Sequence, residues 1–303
     1  MTFLLLVLLA GPASAIQIEA RDGPCPVGSG TVRVYQKISS NAAGGYDSDL
    51  ASYSSGGQWR AYQIATCADN LFSLRGQDFL SLTTADRARL TAALPAAVRG
   101  VADPKAPTIW ERYHVAAALY ATLGKDRVFL GDLLLEASWA ARDEAVGFYA
   151  GLEGPEAARV LLDAGWEELK KPLAEVDRKK VLYNLARVAH RGGWNGERDA
   201  LLTAFETAGT LTAQEKVAVA RFRRIALVVE PGLQDEVIAH YSAALATALP
   251  ASEKARVTYQ LADLLRRRGN VTDAAPLYAA VRKDEDASDQ LRGMAAYFVN
   301  ARR

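Results

Sequence analysis

Cys25 and Cys67 are the only cysteines of this sequence and the residues best suited to covalent chemistry. Joined, they close a loop of about 43 residues, worth roughly 4 kcal/mol in the chain-entropy model. Left apart, they need help. A metal needs further ligands, and thiol exchange needs a second nearby thiol or an activating base. Asp47 and Asp49 stand two residues apart in a Gly-flanked loop with Tyr46 and Tyr53. Two hard carboxylates suit Ca²⁺, but with no third or fourth acid nearby an Asx-turn or cap fits the spacing better. Tyr46, Asp47 and Asp49 mark a loop of functional interest.

Hydrolytic chemistry has little to work with. His114, His190 and His240 fall singly in helical segments, and no G-x-S-x-G elbow is present. Gly28-Ser29-Gly30 opens no helix, and Gly124-Lys125 lacks the upstream glycine and the hydroxyl of a phosphate loop. No catalytic residue, metal ligand or cofactor is expected. Arg221, Arg223 and Arg224, with Arg266 and Arg267, lie on adjacent helical hairpins and are candidates to accept an acidic peptide. The ordinary alternative is a solvated helix face. The net charge of +1 lacks the basic excess of a general nucleic-acid binder.

The elements that carry these residues begin after the first fifteen. Residues 3–10 are an apolar run too short to span a bilayer. Gly11-Pro12 ends it, and Ala13-Ser14-Ala15 has the small-x-small form of a cleavage site. Residues 1–15 are expected to be a signal peptide, and the protein periplasmic or secreted. No later stretch is apolar enough for stable membrane insertion. In an exported chain two cysteines ordinarily pair, so a Cys25–Cys67 disulfide is expected.

Composition changes near residue 80. Residues 31–38 (TVRVYQKI) alternate as a strand does, residues 59–66 (WRAYQIAT) are β-prone, and the Gly-rich stretch between them reads as a long loop. Residues 16–82 thus form a small β-rich module that needs its staple. From 83 to 303 the pattern predicts about ten helices joined by short turns. Thr212 and Glu215 form a capping box, and Glu230-Pro231-Gly232 separates two helices. In residues 255–288 the spacing of Leu261, Ala262, Leu265, Gly269, Ala274 and Tyr278 reproduces a tetratricopeptide repeat. Looser copies run through Leu185, Ala186, Ala189 and Gly193, and through Tyr113, Ala117, Tyr120 and Gly124. The predicted fold is mainly α: a tetratricopeptide-like stack of antiparallel helical hairpins behind a small N-terminal β-hairpin or ribbon.

Cys25-Pro26-Val27-Gly28 and Thr66-Cys67-Ala68-Asp69-Asn70 look like the two knuckles of a zinc ribbon, each lacking its second cysteine. Tyr46-Asp47-Ser48-Asp49-Leu50 lies between them. Trp110-Glu111-Arg112-Tyr113 and Ala137-Ser138-Trp139-Ala140-Ala141-Arg142-Asp143 follow downstream. This order resembles an uncharacterised bacterial family, the domain-of-unknown-function 2225 proteins, which pair a CPxC…CPxC ribbon with tetratricopeptide-like helices. The resemblance implies no activity. It implies that Gly28 and Asn70 stand where the second thiols would be, and that a disulfide has replaced the metal. A two-cysteine metal or redox site is the rival reading.

The expected function is non-catalytic binding of an unidentified protein or peptide in a groove of stacked hairpins, with the N-terminal module capping the first repeat. An enzyme with an unrecognised site in the groove is the other alternative.

Overall fold

Alternation of Val32 and Val34 with Arg33 and Tyr35 does produce a strand in the computed structural model, which describes residues 16–147 and 151–300. The expected signal peptide lies outside the described residues. Strand β2 (Thr31–Ser39) pairs antiparallel with β1 (Gln17–Pro24) in an N-terminal hairpin. The short β3 (Gly45–Tyr46) follows in the long loop. The second anticipated strand is only half there. Residues 60–63 form a single helical turn, α1 (Arg60–Gln63), before β4 (Ile64–Thr66). That strand pairs with β5 (Ser73–Arg75), and a 3-10 turn at Gly76–Leu80 leads into the helices.

The helices are α2 (Thr84–Ala97), α3 (Ile109–Thr122) and α4 (Arg127–Val146); then, after β6 (Leu152–Glu153), α5 (Gly154–Leu169), α6 (Glu175–Gly192) and α7 (Asn195–Thr207). The chain continues through α8 (Ala213–Arg224), α9 (Glu230–Leu245), α10 (Ala251–Arg267), α11 (Val271–Lys283) and α12 (Asp289–Asn300). No helix of the described residues is long and apolar enough to cross a membrane.

The best repeat match forms the hairpin it predicts. Ala262 and Ala274 are fully buried where α10 crosses α11, so the two backbones approach without a side chain between them. Gly269 takes a φ of +84° at the turn, and Gly193 takes +72° between α6 and α7, a conformation costly for any residue with a Cβ. The α3–α4 hairpin makes the third pair. The caps follow sequence as well: Thr212 with Glu215, Thr108 with Glu111 and Thr83 with Asp86 each close a reciprocal box.

The break expected at Glu230-Pro231-Gly232 is absent. Helices α8 and α9 are one continuous rod over residues 213–245, joined by a π-turn at Ile225–Val229. The amide of Glu230 bonds to the carbonyl of Ile225, one residue beyond the α-helical partner. Pro231 has no N–H and its ring would press on the preceding turn. The wider π-turn accommodates it without ending the helix.

Helix α4 packs against α9, far along the chain, and α12 reaches back to α5. The N-terminal module packs its apolar residues onto the helices. Cys25, Val32, Cys67, Phe72 and Leu74 belong to the same hydrophobic core as Leu133, Leu185, Val237 and Leu264. The change near residue 82 is a change of secondary structure, not an edge of the core. A smaller cluster around Tyr259, Tyr278 and Phe298 finishes the C-terminal end.

Candidate functional site

The loop carrying Asp47, Ser48 and Asp49 is pinned by β3, which pairs in parallel with β6. The turn brings Leu50 to a φ of +72°, unusual for a residue with a side chain. It drives three polar residues into the interior: Asp47, Ser48 and Asp49 are 3%, 1% and 0% exposed. Helices α4, α6 and α10 meet them with arginines, and α9 adds Glu230.

Arg142 of α4 sits at the centre. Its guanidinium binds Asp49 in a two-point fork at 2.6 and 3.1 Å, Asp47 at 2.9 Å and Glu230 at 2.5 Å. Arg191 of α6 binds the other oxygen of Asp47 at 2.5 Å and lies over the ring of Tyr53, whose hydroxyl donates to Asp47 at 2.7 Å. Arg267 of α10 donates to Asp263 at 2.7 Å and to the Ser48 hydroxyl at 2.7 Å. Arg266 donates to Asp263 and Ser48 as well. Both also reach the carbonyls that end α6, from His190 to Gly193. Tyr259 completes the seat by donating to the Ser48 carbonyl at 2.6 Å.

The cluster is balanced: the guanidiniums of Arg142, Arg191, Arg266 and Arg267 face the carboxylates of Asp47, Asp49, Glu230 and Asp263. Burial would raise Asp49, Glu230 and Asp263, but their basic neighbours more than reverse it. Glu230 is held down at about 2 by Arg142 and His190, and Asp49 well below the usual range by Arg142 and Arg267. Asp263 is lowered likewise by Arg266 and Arg267. Burial lowers His190, whose Nε2 lies 2.8 Å from Glu230 and whose Nδ1 faces Arg198.

The pH dependence follows from these shifts. Unfolded carboxylates take up protons near pH 4.5 while Glu230 resists until about 2, so its stabilising contribution is complete above pH 4.5 and lost as pH falls towards 2. His190 acts in the same direction below about pH 6.5, because only the unfolded chain protonates readily there. Glu136 and Asp143, both raised by burial, oppose this. The expected result is a melting temperature that drops most steeply between pH 4.5 and 2. Glu230→Gln should flatten that part of the profile; an unchanged slope would mean that Glu230 does not control it.

The structure brings together two sets of residues that the sequence presented separately. The α10 arginines meet Ser48 of this loop and Asp263 of their own helix, and Arg267 lies 3.8 Å from Asp49, so their acidic partners belong to the protein itself. Arg266 and Arg267 are therefore not an open face: their side chains are 11% and 4% exposed. Arg223 pairs with Glu206 on α7, while Arg221 and Arg224 are exposed. The five do not form one surface. Tyr46 borders the seat and packs near the Tyr278 cluster. Arg142, Arg191, Glu230 and His190 carried no sequence signal of this role. The acidic loop between paired glycines was the one local hint.

At the other end of the module Cys25 and Cys67 are joined as a disulfide, with Cα atoms 5.9 Å apart. Asn70 donates to the Val27 carbonyl at 2.5 Å, and a Cβ on Gly28 would lie 2.6 Å from the Asn70 amide. The positions that the resemblance assigns to missing thiols thus face each other. Among the described residues Cys25, Cys67 and Asp69 are the one cysteine, histidine or acid group close enough to share a metal, and its sulfurs are bonded to each other. Cys25→Ser is expected to cost about 2–4 kcal/mol in urea unfolding; a loss of a few tenths would mean that the core alone holds the knuckles.

No protein-family model, no curated protein and no solved structure matches this chain.

Proposed function

We propose that the protein is an exported, non-catalytic scaffold of the cell envelope that binds a protein or peptide partner. The observation that carries this reading is the self-saturated interior. The acids and arginines of this buried cluster are paired with one another and His190 lies against Glu230, which argues against a free nucleophile or base among them. The disulfide supports export, because such bonds persist in oxidising compartments. The facing Gly28 and Asn70 support descent from a ribbon of the domain-of-unknown-function 2225 type, with the disulfide in place of the metal.

Partner binding then belongs to the outer surface. The rod formed by α8 and α9 exposes Val217, Leu227 and Val228 alongside Arg221 and Arg224, a mixed apolar and basic strip. The test is affinity capture from a cell-envelope extract by the immobilised full chain, beside the double variant Arg221→Glu/Arg224→Glu. A reproducible partner that the variant loses supports the reading. Equal capture by the variant displaces the strip, and no reproducible partner overturns the scaffold.

A further inference from the structure

Two exposed helix faces carry opposite charge, and neither charge is answered within the molecule. The first is the basic strip of the α8–α9 rod. Val217, Arg221, Arg224 and Val228 recur at intervals of four, three and four, the spacing of one helix face, and all are exposed. Arg221 and Arg224 have no ion-pair partner among the described residues, whereas Arg223 is held by Glu206. The π-turn adds to the strip by leaving the adjacent Leu227 and Val228 49% and 67% exposed. Turns of this kind recur at functional sites.

The second is the solvent face of α5. Glu153, Glu156, Val160 and Asp163 recur at intervals of three, four and three, and all are exposed. Glu153 and Glu156 have no ion-pair partner among the described residues. Asp163 pairs with Arg159 along its own helix but stays exposed. Glu153, Glu156 and Val160 border a shallow depression of about 490 Å³, which Leu152 and Ala157 also line.

The two strips match in length, charge and apolar content. At about 1.5 Å per residue they run roughly 15 and 16 Å along their helices. Two unpaired guanidiniums stand on one and two unpaired carboxylates on the other, and a guanidinium fork fits a carboxylate. The apolar pair Leu227 and Val228 stands out from the rod, and the acids of α5 rim a depression lined in part by apolar side chains. Within one molecule the strips do not meet. Among the described residues the ion pairs of α5 stay within it or run to α7, and those of the rod run to other elements.

We propose that the strips bind each other between copies, so that the protein self-associates with α5 of one molecule on the α8–α9 rod of the next. Because the strips differ, the contact is heterologous, and each molecule offers both halves. A contact this short belongs to the small, transient class of interface. The proposal rests on the reading of the rod as a partner surface and names a second copy as its occupant.

The experiment is sedimentation velocity of the full, disulfide-bonded chain over a concentration series at low and high salt. Concentration-dependent association is expected at low salt, weakened about tenfold or more at high salt, where exposed charges are screened. Arg221→Glu/Arg224→Glu sets acid against acid, and Glu153→Lys/Glu156→Lys sets base against base, so each variant alone should lose association about tenfold or more. An equimolar mixture of the two should regain it, because every strip again meets its opposite. Each variant is first shown to melt like the parent. Arg221→Gln/Arg224→Gln or Glu153→Gln/Glu156→Gln replaces a reversal that does not, and should weaken association as well. A parent that stays monomeric at low salt overturns the proposal. So does association that survives either change, or a mixture of folded reversals that stays monomeric. Capture from the envelope extract is read separately. A monomeric protein that captures a foreign partner through the rod keeps the scaffold and removes the second copy; a self-associating one that captures nothing foreign does the reverse.

Discussion

Arg142→Met is expected to destabilise the protein by upwards of about 5 kcal/mol, because removing one member of a buried ion pair costs about 3–5 kcal/mol and here three carboxylates share the lost partner. Methionine keeps the aliphatic stem and much of the volume, so the loss is not one of packing. What remains is Asp47, Asp49 and Glu230, all buried and near one another without their common cation. Such a group must take up protons or leave the interior. Leaving means expulsion of the loop at residues 47–49, which limited proteolysis would detect as new cleavage within residues 37–60. Arg142→Lys should rescue little, since one ammonium cannot reproduce the fork made with Asp49. Combining Arg142→Met with Asp49→Asn and Glu230→Gln should recover part of the loss, because fewer charges are stranded. A Met variant within about 1 kcal/mol of the parent in urea unfolding would remove the cluster from any account of this fold.

The second large effect is steric. At Gly45 the backbone takes a φ of +77°, and a Cβ there would stand 1.8 Å from the carbonyl oxygen of Leu152. Gly45→Ala therefore combines a left-handed conformation, about 1–2 kcal/mol for a residue with a Cβ, with overpacking against main chain, typically about 1–3 kcal/mol. The sum is roughly 2–5 kcal/mol. The displacement falls at the β3–β6 bridge, directly before Asp47. Gly57→Ala is the control. Its φ is +122°, but its Cβ would meet nothing within 4 Å. Equal losses in the two variants would show that conformation alone matters and that contact with Leu152 does not.

How much of this could be read from sequence depends on the range of each signal. The α10–α11 hairpin was legible because its determinants are local: Ala262 and Ala274 at the crossing, Gly269 at the turn. The pairing of Cys25 with Cys67 followed from there being no other partner. Strand β1 was missed because it buries almost nothing and shows no alternating face. Pro231 reads as a helix end because prolines usually are one, and the π-turn that spares this helix leaves no local mark. Arg266 and Arg267 suggest an exposed partner site because arginine is rarely buried. What buries them, Asp263 apart, is Ser48 and the end of α6, and no pattern within α10 reports on either. The residues of the seat were noticed in two halves, as an acidic loop and a basic helix end. The sequence has no feature that joins them.

The bonds that seat this loop cross almost the whole chain: Ser48 to Asp263, Tyr259 to Ser48 and Arg267 to Ser48 span 215, 211 and 219 positions. Arrays of hairpins ordinarily assemble by nearest-neighbour contacts, can start anywhere, and tolerate gain or loss of a unit. Long-range closure changes that behaviour, since its entropy must be met before its contacts reward it. A chain that stops before α10 keeps Arg142 and Arg191 but gives Ser48 no seat. The early residues must wait for the late ones, so folding becomes a single cooperative event instead of a progression from one unit to the next. Deleting or duplicating a hairpin between α4 and α10 would move both sides of the seat out of register. The array has given up the modularity of its kind and exists only as a whole.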